Sequence, residues 1–210
     1  MKEEDRMQSI EVAQAPFFSP LLHQYTLQEF WALAEPEDRY HYDLIGGWLF
    51  MVPPPAPPHG TLDARLAASL HDYIKSNQII GQVHHPREAI YLDEEMGTYL
   101  EPDMMYVSEA LRQRMGKKRT SADIVFEYAS KSTAVYDRTT KAHTYLALGV
   151  RELWIVDSST MTIDVVHVAT DEGKTAWEAR RYSKGDWAES QVLPGWRVSV
   201  DELFQGLTEE

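Results

Sequence analysis

From position 62 to 74 the apolar side chains return every three or four residues, as Leu62, Leu66, Leu70, Tyr73 and Ile74. That period predicts a helix beginning after His59-Gly60 and ending near Ser76. Elsewhere the pattern shortens. Tyr40–Leu44 and Trp48–Val52 read as strands joined across Ile45-Gly46-Gly47, a hairpin signal. Strands are expected near 79–85, 87–93 and 99–107, followed by a short helix near 108–115. The run 122–130 is nearly all apolar, as in a strand buried on both faces. A helix over 136–148 carries Ala142, Tyr145, Leu146 and Gly149 on its apolar side. Residues 151–157 and 160–168 form a second hairpin across Ser158-Ser159. A strand at 177–182, a turn at Lys184-Gly185-Asp186, a last strand and a short helix over 200–204 complete the chain.

At the amino end, Thr26-Leu27-Gln28-Glu29 has the form of a capping box and predicts a helix over 26–34. Residues 1–20 read as a loosely held arm and 21–210 as one domain. The run Pro53-Pro54-Pro55-Ala56-Pro57-Pro58 cannot join a central ladder and predicts a stiff connector. Strands and helices mixed on one sheet give an α/β or α+β class.

Two acids interrupt this pattern. Asp103 stands before Met104-Met105-Tyr106-Val107, and Glu127 follows Ile124-Val125-Phe126. Carboxylates are rarely buried in strands unless they are paired or hold a metal. Strand alternation puts positions 123, 125 and 127 on one face, with Glu127 towards the carboxyl end. If the strand ending at 107 pairs beside it, Asp103 and Glu127 can share a hard cation such as magnesium or manganese. The bland reading is that Asp103 caps the turn after Pro102 and Glu127 meets a neighbouring cation. A cation is expected beside such a metal, and Lys141 is the first choice, because Asp137, Lys141 and Tyr145 share a helix face. An ordinary Asp137–Lys141 surface pair explains that spacing equally well. Lys131, nearer to Glu127 in sequence, is the rival.

The formal net charge of −13 is awkward for a protein that grips nucleic acid through a long basic surface. One basic run stands against it, with Arg112, Arg114, Lys117, Lys118 and Arg119 and no acid among them. It reads either as a solvated loop or as a phosphate-binding segment. Cysteine is absent, which excludes disulfides and thiolate metal sites and fits a reducing cytoplasm. There is no secretory apolar core and no run long enough to span a bilayer, so no membrane partner is expected.

Taken together, these pieces resemble the Uma-type family of bacterial restriction-endonuclease-like proteins, within the PD-(D/E)xK nuclease superfamily. The likeness covers roughly residues 26–205. It is carried by Tyr42-Asp43-Leu44-Ile45-Gly46-Gly47, the Pro run through His59, Glu101-Pro102-Asp103, Asp123-Ile124-Val125-Phe126-Glu127, and Asp137 with Lys141 and Tyr145. Gly149 through Asp157 and Leu193-Pro194-Gly195-Trp196 complete it. The resemblance implies a mixed sheet flanked by helices and a magnesium-dependent phosphodiesterase site. Pro102-Asp103 matches the "PD" element and Glu127 the "(D/E)" element. Ala129 stands where the superfamily lysine often sits, and Lys141 matches a lysine relocated to the next helix. Asp43 falls where the family usually has glutamate, Gly46 replaces an aspartate, and Lys131 replaces a proline. Asp43, His59 and Lys131 are therefore accessory candidates, although His59 serves equally as a structural residue at a helix start.

Three functions compete on this evidence. The first is a metal-dependent nuclease acting on DNA, in which Asp103 and Glu127 hold the metal, Lys141 assists and the basic run holds phosphates. The second is a non-catalytic interaction module that retains the same fold, with a homodimer as its candidate assembly. The third is a metal-dependent hydrolase of small phosphate esters, which needs no long basic groove.

Overall fold

The computed structural model describes residues 23–207, apart from 37, 56, 87, 93–95 and 172–173. The expected arm over 1–20 lies outside the described residues. Helix α1 (Leu27–Trp31) begins at a complete capping box, with Thr26 and Glu29 each bonding the other's backbone N–H. It is shorter than the 26–34 expected. Strands β1 (His41–Ile45) and β2 (Trp48–Val52) form the anticipated hairpin. Gly46 and Gly47 have φ of +54° and +82°, the left-handed pair that a two-residue turn of this hand requires. Helix α2 (His59–Ser76) follows the Pro run.

Next come β3 (Gly81–His84), β4 (Ile90–Leu92), β5 (Thr98–Leu100) and β6 (Met104–Ser108). The expected single strand over 99–107 is thus two strands in two different sheets. Pro102 has no N–H to give a ladder and breaks the run. Helix α3 (Glu109–Met115) and β7 (Ile124–Ala129) follow. The helix expected over 136–148 starts earlier. It comprises α4 (Ala134–Tyr136), a π-helical turn (Asp137–Lys141) and α5 (Ala142–Ala147). The remaining elements are β8 (Glu152–Asp157), β9 (Thr162–Asp171), β10 (Lys174–Tyr182), β11 (Trp187–Glu189), β12 (Arg197–Ser199) and α6 (Val200–Leu203).

The main sheet has six strands in the order β10-β9-β8-β7-β6-β3. Only the β7–β8 pair is parallel. A four-stranded antiparallel sheet, β2-β1-β5-β4, and the β11–β12 pair stand apart from it. The class is therefore mixed α/β, with helices flanking a mixed sheet, as the sequence implies.

Alternation along β6, β7 and β8 builds two cores. Met104, Tyr106, Ile124, Phe126, Trp154 and Val156 face Leu62, Leu66 and Leu70 of α2. Trp154 and Trp196 add a tilted ring pair with centroids 4.8 Å apart. Met105, Val107, Val125, Ala129, Leu153 and Ile155 face the opposite way, toward Ala142 and Tyr145 of α5 and Ile90 and Leu100 of the small sheet. Every residue of β7 and β8 is buried. That explains their unbroken apolar character and makes each acid within them conspicuous.

Candidate active site

The register fixes the first two residues. Met104 pairs with Phe126 and Met105 with Val125 in the antiparallel β6–β7 ladder. One step further along that register, just beyond the end of β6, Asp103 comes opposite Glu127. Because Pro102 ends the ladder here, the Tyr128 N–H is left without a strand partner. It donates to Asp103 Oδ2 at 2.8 Å. Asp103 Oδ1 lies 2.9 Å from His59 Nε2, at the start of α2. The carboxylate thus caps the unpaired edge of β7, rather than the turn after Pro102, and also lines the cleft.

Glu127 is 2% exposed, and both its oxygens are engaged. Lys141 Nζ donates to Oε2 at 2.9 Å, and the Tyr145 hydroxyl donates to Oε1 at 2.5 Å. The helix face that joins Asp137, Lys141 and Tyr145 is thus turned inward. Lys141 is 3% exposed, and its ammonium also lies 3.7 Å from Asp43 Oδ2. The surface-pair reading of Asp137–Lys141 does not describe this geometry. The Tyr136 hydroxyl donates to Asp43 Oδ2 at 3.0 Å. Asp43 Oδ1 and His41 Nε2 are buried without a hydrogen-bond partner, 4.0 Å apart.

One ammonium therefore faces four acids, Glu127, Asp43, Asp103 and Asp137. Burial opposes the lysine's charge most strongly, but the four carboxylates outweigh it and hold the ammonium protonated well above the usual lysine range. For Glu127, burial pushes the carboxyl well above its usual range; Lys141 counters this, and Asp103 and Asp137 push it higher still. The two directions agree, because the cation is shared among too many acids to lower each of them. Burial also raises Asp137. Asp103 goes the other way: burial opposes its ionisation, but His59 and the Tyr128 N–H hold it ionised below the usual range. His59 is in turn raised, as Asp103 and Asp63 overcome its burial.

These groups floor a cleft of about 540 Å³. His59, Asp103, Glu127, Asp137 and Lys141 line it, with the Pro run as one wall and Ser130–Thr133 and Ser158-Ser159 at the rim. Lys131 is exposed in this lining, whereas Asp43 lies beneath Lys141 and is fully buried. Sequence reading passed over Asp63 and Tyr136. The Tyr128 hydroxyl donates to Asp63 Oδ1 at 3.2 Å. The i, i+4 spacing of His59 and Asp63 at the start of a helix was the available signal.

The basic run is not brought to the cleft. Arg112 to Arg119 follow β6 at its Ser108 end, about 17 Å along the strand from Asp103 at strand rise. Arg112 pairs with Glu109 at 2.7 Å, and Arg119 pairs with Glu88 at 2.6 Å. Arg114, Lys117 and Lys118 are exposed there. Among the described residues, no helix is long and apolar enough to cross a membrane.

A mixed sheet flanked by helices, with a cleft at the ends of two neighbouring strands, gives the chain a nuclease-like fold. The fold is similar to that of a solved structure from Anabaena variabilis, titled a "putative nuclease belonging to DUF820". The TM-score is 0.67 at 17% identity, covering 88% of this chain and 99% of that one. Residues 27–201 match the Uma2 family, described as "Putative restriction endonuclease". The chain belongs to that family, as the sequence motifs imply. No functionally curated protein matches it.

Proposed function

We propose that the protein is a metal-dependent nuclease that hydrolyses phosphodiester bonds in DNA. The observation that carries this reading is the buried Lys141 ammonium, 2.9 Å from Glu127, beside an Asp103 set opposite Glu127 by strand register. Family membership and the nuclease-like fold support it.

The residues fit a hard divalent cation. Asp103 and Glu127 offer oxygen donors, the acids outnumber the cations, and Asp43 Oδ1 is a buried acceptor without a partner. Among the described residues, no three His, Asp or Glu side chains converge tightly enough to enclose an ion. Magnesium and manganese are held through one or two carboxylates and keep water and substrate phosphate as their other ligands. Asp103 and Glu127 would hold the ion, which when bound supplies Lewis acidity and acidifies a coordinated water.

The chain's own groups do the rest. Lys141, kept protonated by its four acids, presents a fixed positive charge where negative charge develops on the phosphoryl oxygens. Tyr145 holds Glu127 in one orientation, and His59 with the Tyr128 N–H does the same for Asp103. Asp43, itself held by Tyr136, anchors Lys141 from below. No reorganisation of these dipoles is needed at the moment of reaction.

The test is cleavage of varied DNA substrates with magnesium or manganese, using Asp103→Asn and Glu127→Gln as controls. Metal-dependent cleavage that both substitutions abolish supports the proposal. Cleavage indifferent to both, or no cleavage of any DNA with either metal, overturns it.

A further inference from the structure

A second cavity of about 360 Å³ adjoins the catalytic cleft. The two share His41 and Glu101 as a common wall. The second is aromatic: Phe30, Tyr40, Tyr42 and Tyr99 line it. Phe30 and Tyr99 belong to the small core around Tyr25, Leu27 and Leu44, with ring centroids 4.9 Å apart. Tyr40 has no such packing duty. It is 38% exposed and lines the cavity. The charged residues lining the cavity are Glu35, Glu101 and Arg39, with His41 beside them. Two acids and one arginine do not suit a phosphate. Aromatic side chains interleaved with polar groups suit a nucleobase, whose π-face stacks on aromatic rings whatever its identity and whose edge forms hydrogen bonds.

Resting on the nuclease reading, we infer that this cavity is a base-stacking subsite and that the substrate is an unpaired nucleotide strand. A base within a duplex is stacked between its neighbours and cannot enter a side cavity without being extruded. A single strand presents its bases freely. Two other observations agree. The chain is acidic overall, at −13, and its one basic run lies at the far end of β6 from Asp103. A duplex held along its backbone needs a basic track beside the site. A short strand held by one metal-bound phosphate and a stacked base needs much less.

The experiment uses the full chain and short oligonucleotides carrying 2-aminopurine, as DNA and as RNA, each single-stranded and annealed. Binding is read by fluorescence with calcium, another oxygen-liganded divalent ion, in place of magnesium, and cleavage is read separately with magnesium. Single strands should bind and be cleaved in preference to duplexes, with the 2-aminopurine emission quenched on binding. Whichever of DNA or RNA shows this behaviour is the source of the strand. Tyr40→Ala, at an exposed position, should weaken single-strand binding about tenfold and relieve the quench, within the range of base–aromatic stacking. Tyr40→Phe should restore both, since stacking does not need the hydroxyl. An abasic substitution in the strand should mimic Tyr40→Ala without touching the protein. Equal affinity for duplex and single strand, or a Tyr40→Ala variant with unchanged affinity and quench, overturns the inference. Quenched single-strand binding without cleavage leaves the subsite standing and sinks the nuclease reading; cleavage without strand preference does the reverse.

Discussion

Replacing Lys141 by methionine keeps the aliphatic stem and removes the charge. In the native protein that charge touches Glu127 at 2.9 Å and Asp43 at 3.7 Å, and all three groups are buried. Removing one partner of a buried pair leaves its carboxylates uncompensated, at a cost of about 3–5 kcal/mol. That is roughly a hundred- to several-thousand-fold in the folded-to-unfolded ratio. The cost depends on pH with a definite sign. Glu127 already titrates above its ordinary value because of burial, and Lys141 is the foremost influence pulling it down. Without Lys141 its folded pKa rises further. Between the ordinary glutamate value of about 4.3 and the raised folded value, the native state holds a proton that the unfolded state lacks. Stability then falls as pH rises through that window. Urea unfolding of wild type and Lys141→Met should therefore show the full deficit at neutral pH and a smaller one in mild acid. A neutral-pH deficit below about 1 kcal/mol, or one that does not shrink on acidification, would refute the account of a single cation shared by four acids. Turnover should also fall by orders of magnitude in Lys141→Met, and much less in Lys131→Ala at the rim. Alanine at position 141 is no milder a test. Helix propensity favours it, but burial among acids decides the outcome.

Tyr145→Phe removes the donor to Glu127 Oε1 and should lower manganese affinity by calorimetry about 10- to 100-fold, as loss of a ligand-orienting partner typically does; unchanged affinity would separate Glu127 from the metal. Asp164, gripped by Arg181 at 2.6 Å and Arg138 at 3.0 Å, titrates below its usual range although burial opposes this. Its contribution is complete above the unfolded value of about 3.9 and is lost as pH falls through the depressed folded value. Asp164→Asn should cost about 1–2 kcal/mol at neutral pH, discounted for the exposed Arg181, and nothing in strong acid; parallel pH curves would refute it. A Cβ at Gly97 would meet Leu27 N at 2.7 Å and Leu44 Cδ2 at 2.9 Å, so Gly97→Ala should lower stability by about 1–3 kcal/mol in thermal unfolding. Charge reversal at Lys117 and Lys118 should leave affinity for a short strand unchanged. A salt slope lowered by about 0.7 per cation would instead show the strand crossing that end of the sheet.

The periodic elements were legible because single-face burial enforces their pattern. Leu62, Leu66 and Leu70 all reached the core from α2, and the Gly46-Gly47 turn required glycine at both positions. The break at Pro102 was also written in the sequence, but an apolar run on either side masked it. The acid signal was less specific than it looked. Asp123 and Glu152 are also buried in or beside core strands, yet Asp123 caps the Ser108 N–H at 2.7 Å, and Glu152 accepts from the Trp154 indole and the Gln191 N–H, each at 2.7 Å. What separates Glu127 from them is an ammonium and a cleft, and both depend on where a distant helix lands. The same limit hid Asp63, Tyr136 and the aromatic cavity, whose members come from α1, β1, β5 and the loop between the first two. The basic run lies away from the cleft for the complementary reason. Its position between Asp103 and Glu127 in sequence means only that it connects the far ends of two antiparallel strands.

The position of the lysine follows from the same packing. Ala129 lies two residues beyond Glu127 on the same face of β7, where a strand-borne lysine would point toward the same cleft. It is 2% exposed and shares its core with Ala142 and Tyr145 of the covering helix. A lysine there would have either to fill the cleft that Ala129 lines or to displace that helix, because a close-packed core does not absorb four extra heavy atoms. With alanine at 129, the helix comes close enough to supply the charge itself. Lys141 ends the π-helical turn, and Tyr145 follows one turn later, so one helix delivers both donors to the two oxygens of Glu127. Such wide turns recur at functional sites because they re-aim side chains without ending the helix. A lysine returned to position 129 would therefore crowd the ammonium that Lys141 already places 2.9 Å from Glu127.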